Sequence, residues 1–217
     1  MIITLDGPSG TGKSTLAKLV AKKLNFKFLN SGMIYRGITY YYLSNNIQAS
    51  DLDKIKETIN SLDIKLEFID GSQHIIINNV DYTEFVSLKD VSDNVSLFSQ
   101  ILPVRHKTLE IQREFASKNN IVIEGRDIGS EVFPNAEYKF YVDCNVNIRA
   151  KRRYEDLKAT NTEISFEEVL NSLKNRDYLD TTRKFSPLVR PQNAIDIDTS
   201  VKGIEECVNQ ILSFIKL

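Results

Sequence analysis

The chain has 217 residues, of which 41% are hydrophobic and 26% are charged, proportions that exclude a mainly disordered or fibrous protein. Its 28 basic and 29 acidic residues leave a formal net charge of -1, so no overall field draws it to nucleic acid polymers or anionic membranes. It has only two cysteines, and no apolar run approaches the roughly 18 residues of a membrane span. We therefore expect a cytoplasmic protein without a disulfide framework and, because no heptad pattern stands out, a monomer.

The N-terminal segment alternates predicted strands and helices. Residues 2–6 form a short apolar run that ends at glycine and proline, and the apolar residues of 14–24 have helical spacing. A second strand is predicted at 26–29 and a second helix at 34–43. This order is typical of a parallel sheet covered by helices.

The pattern changes after residue 63. Apolar and polar residues alternate from Ile64 to Phe68, Asp70-Gly71 is a typical hairpin turn, and an apolar run at 75–77 completes an antiparallel hairpin. Two helices are predicted next, at 91–100 and, after Pro103, at 104–117. We interpret the residues from about 60 to 100 as an inserted subdomain.

The C-terminal half returns to the α/β pattern. Strands are predicted at 121–123, 138–142 and 194–198, and helices at 147–157, 166–178 and 204–215. The first two strands are apolar throughout, as central parallel strands are. Ser165 and Glu168 have the spacing of a capping box at the start of the second of these helices. The fold class predicted from these elements is α/β.

A phosphate-binding motif follows the first strand. The run Gly7-Pro8-Ser9-Gly10-Thr11-Gly12-Lys13-Ser14 matches G-x-x-x-x-G-K-[ST], and it lies between a predicted strand and a predicted helix. In such a loop backbone N–H groups surround a phosphate, Lys13 reaches the β and γ phosphates, and Ser14 offers its hydroxyl to Mg²⁺. An ordinary glycine-rich turn does not need this combination.

The motif alone does not choose among switches, motors and small-molecule kinases. The N-K-x-D and D-x-x-G patterns of a GTPase are absent from the sequence. Motor ATPases place an acid after an apolar strand, and Glu124 or Asp127 has such a position, but Arg126 adds a cation between them. The acceptor side has to be inferred from other residues.

Arginines recur where predicted elements end. A guanidinium binds phosphate through two parallel hydrogen bonds, so several converging arginines would suit a second phosphorylated substrate. Each of them taken alone also fits a solvated surface position. The arginines of this group are Arg36, Arg105, Arg126, Arg176 and Arg183.

Four blocks of the sequence resemble bacterial cytidylate kinases, in that family's order. They are Asp6 to Thr15, Asn30-Ser31-Gly32-Met33-Ile34-Tyr35-Arg36, Glu124-Gly125-Arg126-Asp127-Ile128-Gly129 with Val132-Phe133-Pro134, and Asn175-Arg176-Asp177 through Ser186-Pro187-Leu188. The resemblance implies one three-layer P-loop kinase domain over 1–217, with an NMP-binding subdomain at about 60–100 and a helical lid at about 147–180. It also implies transfer of the γ-phosphoryl of ATP to CMP or dCMP, with Mg²⁺.

The resemblance also assigns roles to single residues. The ATP-binding residues it implies are Gly7, Pro8, Ser9, Gly10, Thr11, Gly12, Lys13, Ser14 and Thr15, with Ser14 as the metal ligand. The CMP-binding residues it implies are Ser31, Arg36, Ser96, Arg105, Arg126, Asp127, Arg176, Asp180 and Arg183. Within this set Ser96, Arg105 and Asp127 would contact cytosine, and Arg176 with Asp180 would hold the sugar.

The implied catalytic residues are Lys13, Arg126, Arg183 and Arg153. Arg153 is one of three lid arginines, with Arg149 and Arg152, and the sequence does not decide which of them touches phosphate. Asn30 stands where the family frequently has aspartate, so its role, catalytic or capping, is open.

Two other functions remain open at this point. The first is a monophosphate kinase specific for AMP or UMP, which would share the loop, lid and arginines and differ in the base pocket. The second is a regulatory module that hydrolyses ATP slowly, although such a module has no second phosphate for the arginines to bind.

Overall fold

The computed structural model describes residues 1–159 and 163–216. Residues 160–162, in the middle of the predicted lid, and Leu217 lie outside the described residues. The chain divides into two compact units, Met1–Phe28 with Ile121–Leu217, and Leu29–Asn120. The predicted subdomain at about 60–100 falls within the second unit, and its separate role stays a prediction.

The described elements follow the predicted order closely. The strands are β1 (Ile2–Asp6), β2 (Lys27–Asn30), β3 (Ile64–Ile69), β4 (Ser72–Ile77), β5 (Val80–Asp81), β6 (Ile121–Gly125), β7 (Tyr138–Asp143) and β8 (Ile195–Asp198). The helices are α1 (Lys13–Leu24), α2 (Ser31–Ser44), α3 (Leu52–Thr58), α4 (Lys89–Phe98), α5 (Leu102–Ser117), α6 (Val146–Ala159), α7 (Phe166–Thr182) and α8 (Ile204–Phe214). Short 3-10 turns cover Ile59–Ser61 and Thr83–Ser87, and a π-helical turn covers Ile128–Val132.

A five-stranded sheet with the order β2-β6-β1-β7-β8 forms the centre of the α/β fold. Strand β1 pairs in parallel with both β6 and β7, and β7 pairs in parallel with β8. The predicted α/β class with a parallel central sheet is therefore confirmed. Because the strands are parallel, the carboxyl ends of β1, β6 and β7 lie at one edge, where ligands bind in such folds.

The core of the first unit is built on β1. Ile3 and Leu5 are fully buried against Leu16 and Val20 of α1 and Ile211 of α8. Burying a side chain of this size contributes about 1.5–3 kcal/mol relative to leaving it exposed. This packing fixes the end of β1, from which the phosphate loop departs.

The second unit contains the predicted antiparallel hairpin. Strands β3 and β4 pair from Ile64 with Ile77 to Ile69 with Ser72, which confirms the predicted pairing. Asp70 and Gly71, at the turn between them, both have positive φ angles, 51° and 76°, as tight hairpin turns require. Ile75 and Ile77 of β4 are fully buried in the core of this unit.

Two short elements, the start of α7 and helix α3, differ in how clearly the sequence indicates them. The capping box at the start of α7 is confirmed, because Ser165 and Glu168 bond reciprocally through side chain and backbone. Helix α3 was not predicted, although Ile55 is fully buried on it and Ile59 is buried just beyond its end. It spans only seven residues, too few for a helical period to stand out.

Over residues 1–159 and 163–216, no helix has the length and apolar character to cross a membrane.

Candidate active site

The phosphate loop connects β1 with α1, as the motif predicts. Gly7 has a φ of 149°, and a Cβ atom there would lie 2.0 Å from the carbonyl oxygen of Val142, so a side chain cannot be accommodated. The Lys13 ammonium lies within the loop and donates to the carbonyl of Pro8 at 2.5 Å and to the hydroxyl of Thr11 at 3.3 Å. These two oxygens hold the ammonium group inside the loop, where the motif predicts that it contacts phosphate.

Lys13 is almost fully buried, and burial changes its titration. Removal from water and, to a smaller extent, the positive charge of Arg126 together lower the pKa of Lys13 to about 7. The carboxylates of Glu124, Asp6 and Asp180 act in the opposite direction and raise it. An incoming polyphosphate would likewise favour the charged ammonium.

Ser14, the predicted metal ligand, is bonded to an acid on a neighbouring strand. Its hydroxyl donates to Oε1 of Glu124 at 2.8 Å, which leaves the lone pairs of Ser14 Oγ for a cation. Within the described residues, 1–159 and 163–216, no group of three or more His, Cys, Asp or Glu is placed to hold a metal. Mg²⁺ bound mainly by substrate phosphates and water needs only one or two protein oxygens, so these residues fit it.

The turn after β6 meets the end of α7 through two ion pairs. Arg126 donates from Nε to Oδ2 of Asp180 at 2.7 Å, and Arg183 lies 3.4 Å from Oδ1 of Asp127. Burial lowers the pKa of Arg126, but the surrounding carboxylates, of which Asp180 contributes most through its charge and its hydrogen bond, together outweigh that effect and raise the pKa. Four of the predicted acceptor-binding residues are thus brought together in the first unit.

Asp6, the last residue of β1, lies beneath that turn. It is fully buried, and its two carboxylate oxygens accept the backbone N–H groups of Ile128 and Gly129, each at 2.7 Å. Burial raises the pKa of Asp6 to about 7, although the two N–H groups and the charge of Lys13 lower it.

Arg149, the first of the three lid arginines, is held by an ion pair and by the phosphate loop. It binds both carboxylate oxygens of Asp177, at 2.7 and 3.2 Å, and donates to the carbonyl of Ser9 at 2.9 Å. Arg152 donates to the carbonyl of Thr199 at 2.7 Å. Arg153, which the resemblance implies as a catalytic residue, has an exposed side chain on α6, and its role stays a prediction.

Arg176, predicted with Asp180 to hold the sugar, lies one turn before Asp180 on α7 and is partly buried. Its role in sugar binding stays a prediction. Arg183 caps the end of α7, and its Nε donates to the carbonyl of Ser186 at 2.6 Å. The segment after α7 therefore fixes the direction of the Arg183 guanidinium.

In the second unit, the predicted residues are placed by α2, α4 and α5. Arg36 of α2 donates to the carbonyl of Val86 at 3.1 Å and to the hydroxyl of Ser92 at 2.9 Å. Arg105 of α5 is buried, donates to the carbonyl of Ser99 at 3.1 Å, and lies 5.7 Å from the ring centroid of Tyr35.

Ser31 and Asn30 lie at the start of α2, where Ser31 is buried. The Asn30 side chain accepts the N–H of Met33 at 3.2 Å, as a helix-capping residue does. Ser96 is partly buried on α4, and its carbonyl accepts bonds from Ser99 and Gln100. The structure supports the capping role for Asn30.

Three residues that support the site were not assigned a role from the sequence. Asp177 binds Arg149, Tyr35 lies against Arg105, and the hydroxyl of Thr199 donates to the carbonyl of Thr11 in the phosphate loop at 2.8 Å. Asp177 and Tyr35 do fall inside the sequence blocks quoted above. Thr199 had no local signal, because its contact joins residues 188 positions apart.

A parallel sheet whose first strand leads through a phosphate loop into a helix defines the class of P-loop nucleotide-binding proteins. The cytidylate kinase family model matches residues 3–217 of the sequence. The chain belongs to the cytidylate kinase family.

Relatives with the family's name are similar over nearly their whole length. The cytidylate kinase of Clostridium botulinum (strain Loch Maree / Type A3) is 42% identical over 214 residues, which cover 99% of this chain and 97% of that protein. The cytidylate kinase of Fusobacterium nucleatum subsp. nucleatum is 40% identical over 211 residues, which cover 97% and 95%.

A solved structure shares the fold at low sequence identity. The crystal structure of an uncharacterized protein from Eubacterium ventriosum ATCC 27560 has a TM-score of 0.51 and 13% identity, and the match covers 99% of this chain and 98% of that chain.

Proposed function

We propose that this chain transfers the γ-phosphoryl group of ATP to CMP or dCMP, giving CDP or dCDP and ADP. Membership in the cytidylate kinase family supports the reaction. The structural observation that carries it lies in the first unit. That unit contains a phosphate loop with Lys13, and it also contains Arg126 and Arg183, each held beside a carboxylate. A phosphotransferase needs both, one set of groups for the donor and one for a second phosphate.

The phosphate loop would bind ATP. Backbone N–H groups of the loop and the start of α1 would surround the β and γ phosphates, and Lys13 would exchange its bonds to Pro8 and Thr11 for phosphate oxygens. Ser14 would hold Mg²⁺, which bridges the phosphates and neutralises their charge. The bond from Ser14 to Glu124 orients the hydroxyl for that role.

We propose Arg126 and Arg183 for the acceptor phosphate. For Arg36 and Ser31, both on α2, a role in binding CMP is proposed on the resemblance to the family alone. The carboxylate and carbonyl partners of these arginines keep the guanidinium planes fixed before the nucleotide arrives. Arg176 and Asp180 are proposed for the sugar.

Asp127 would select the base, and for Ser96 and Arg105 a role in base recognition is proposed on the resemblance to the family alone. Cytosine presents an amino group, which a carboxylate accepts, and ring acceptors, which an arginine satisfies. Uracil would present its O4 atom to the Asp127 carboxylate and leave two acceptors facing each other. Such a buried mismatch costs about 1–3 kcal/mol, equivalent to about 5-fold to 150-fold in kcat/KM, so UMP is the poorer acceptor.

The chemistry would need no nucleophile from the protein. A phosphate oxygen of the acceptor attacks the γ-phosphorus in line, and the bond to the β-γ bridging oxygen breaks as ADP leaves. Lys13, Arg126 and Arg183 would stabilise the charge on the transferring group, with a lid arginine, Arg153 or Arg149. Exclusion of water would prevent hydrolysis of ATP.

We also propose that the protein acts as a cytoplasmic, Mg²⁺-dependent monomer in pyrimidine nucleotide metabolism. Cys144 and Cys207 are both free and buried, which fits a reducing compartment. The near-balanced charge supports small nucleotides rather than polymers as partners.

The test is a coupled assay for ADP formation from Mg·ATP with CMP, dCMP, UMP, AMP and dTMP offered separately. We expect CMP and dCMP to stimulate ADP formation strongly, and Asp127→Ala to abolish the preference for cytosine. Glu205→Ala, which removes an exposed carboxylate at the start of α8, is the matched control and should behave as the wild type.

Other outcomes would change the proposal in defined ways. Stimulation by a different monophosphate would keep the mechanism but overturn the assignment of the base. Absence of stimulation by any monophosphate would favour a regulatory module that hydrolyses ATP.

A further inference from the structure

The carboxylate of Asp6 is used to hold a backbone turn. Its Oδ1 accepts the N–H of Ile128 and its Oδ2 accepts the N–H of Gly129, both at 2.7 Å. Asp6 is fully buried at the end of β1, so these two bonds are made away from water. A charged acceptor in such a place holds its donors more strongly than a neutral one.

The same residue holds the other end of the turn. In the parallel ladder Asp6 is opposite Gly125, the last residue of β6. Arg126 and Asp127 are the two residues between the ladder and the carboxylate-bound N–H groups. They lie on a short segment of backbone that Asp6 fixes on both sides.

The backbone beyond the turn is also folded back onto it. The carbonyl of Asp127 accepts the N–H groups of Glu131 and Val132, at 2.9 and 3.1 Å, which closes the π-helical turn. Asp6 therefore supplies acceptors to the first N–H groups of this turn, as a capping side chain would, but from a different strand.

Gly129 provides the space for this contact. A Cβ atom at that position would lie 2.8 Å from Oγ1 of Thr4, 3.1 Å from Oδ2 of Asp6 and 3.1 Å from Cγ of Pro191. Any larger residue would push the turn away from the carboxylate. The contact therefore needs both the carboxylate of Asp6 and a residue without a side chain at position 129.

We propose that Asp6 is a positioning residue for the acceptor nucleotide, which fixes Arg126 and Asp127 through the backbone of residues 128 and 129 and thereby sets the discrimination between CMP and UMP. The inference rests on the proposed function. Asp6 touches neither substrate in this role. A shift of about 1 Å in a positioned group can cost about 100-fold in rate, so a loosened turn should be visible in kinetics.

The main variant is Asp6→Asn, which keeps the shape but replaces one acceptor oxygen by an amide that faces an N–H donor. The second variant is Gly129→Ala, which keeps the charge of Asp6 and displaces the turn. The matched control is Ile3→Val, which removes a buried methylene from the same strand without touching the turn. For each protein kcat/KM is measured with CMP and UMP, together with KM for ATP and the melting temperature.

We expect both variants to raise KM for CMP at least about 10-fold, which corresponds to loss of one charged hydrogen bond. The ratio of kcat/KM for CMP to that for UMP should fall at least about 5-fold in both variants, as misplacement of Asp127 would require. KM for ATP should stay within about 3-fold in Gly129→Ala, because that variant keeps the charge of Asp6, which acts on Lys13, and the pairing of the Asp6 backbone on both sides in the sheet. A loss of stability alone would lower kcat/KM for CMP and for UMP by the same factor and leave their ratio unchanged. This is the result expected for Ile3→Val.

An unchanged CMP to UMP ratio in either folded variant, beside an active wild type, would overturn this inference and leave the proposed function standing. If Asp6→Asn does not fold, the ratio in Gly129→Ala decides. A wild-type protein that no pyrimidine monophosphate stimulates would overturn the proposed function and this inference with it.

Discussion

Several arginines of the predicted site have carboxylate partners in the first unit, whereas Arg36 and Arg105 of the second unit have neutral partners among their contacts. In the first unit Arg126, Arg149 and Arg183 each face a carboxylate, at distances from 2.7 to 3.4 Å. In the second unit Arg36 and Arg105 donate to backbone carbonyls, and Arg36 also donates to a hydroxyl. We propose phosphate or base contacts for arginines of both kinds.

The two kinds of partner differ in the free energy that is lost when the partner is removed. A buried ion pair that loses its acid leaves a charge in a medium of low polarity, which is strongly unfavourable. A hydrogen bond to a neutral group can be exchanged for one to phosphate at small cost, since its net contribution is modest. The first unit thus has a preorganised set of guanidinium groups, whereas the bonds of Arg36 to its neutral partners are inexpensive to exchange.

The largest effect is expected when the acid of a buried ion pair is removed. Asp180→Ala should lower the free energy of unfolding by about 3–5 kcal/mol, because Arg126 is left without its closest counter-charge. The matched control, Asp196→Ala, removes the acid of the exposed pair with Arg190 and should cost less than about 1 kcal/mol. Urea unfolding measures both, and equal losses would contradict the distinction between buried and exposed pairs.

Lys13 is the charged residue of the first unit that we propose contacts ATP, the phosphoryl donor. Lys13→Met should reduce kcat by about 10²–10³-fold, because a preorganised charge that meets the transferring phosphoryl group is lost. Lys22→Met, on the exposed last turn of the same helix, is the control and should leave kcat unchanged. Steady-state ADP formation checks this, and similar kcat values for the two variants would rule out a role for Lys13 in the chemical step.

Burial also predicts a pH dependence for nucleotide binding. The pKa of Lys13 is lowered to about 7, and polyphosphate favours its protonated form. Below pH 7 Lys13 is already charged, so binding needs no proton there. Above pH 7 binding should take up a proton, and affinity for an ATP analogue should fall by up to about tenfold per pH unit.

Calorimetry at pH 8 in two buffers of different ionisation enthalpy measures that proton uptake. Lys13→Met removes the contribution of Lys13 and leaves that of Asp6, whose pKa is also about 7. Equal uptake by the wild type and the variant would show that Lys13 is charged before ATP binds.

The smallest effect is expected where a neutral partner is removed in the second unit. Ser92→Ala deletes the hydroxyl that accepts from Arg36 and leaves the carbonyl of Val86 in place. The cost in unfolding free energy should be about 1 kcal/mol, and KM for CMP should change by less than about threefold. Asn94→Ala, on the same helix, is the control. A loss of unfolding free energy as large as that of Asp180→Ala would contradict the distinction between carboxylate and neutral partners.

Most of the fold could be predicted because its signals are local. Buried parallel strands are short apolar runs, the hairpin has an Asp-Gly turn, and α7 begins with a capping box. Helix α3 escaped prediction because seven residues contain too little of the helical period. The phosphate loop was equally readable, because all its groups come from one continuous segment.

The partners of the charged residues could not be predicted in the same way. The bond from Ser14 to Glu124 joins residues 110 positions apart, and that from Ile128 to Asp6 joins residues 122 apart. No spacing rule relates such residues, because their distance is set by the pairing of β1 with β6.

The α/β class, the order of the predicted elements, the phosphate loop and the resemblance to the family all follow from local patterns in the sequence. The support that Asp6 gives to the turn with Arg126 and Asp127, and the contact of Arg149 with the phosphate loop, became visible in the folded chain. Backbone conformation follows from neighbouring residues, whereas the environment of a charge follows from which strands and helices pack around it. The groups that tune the site are therefore visible only after the sheet has brought them together.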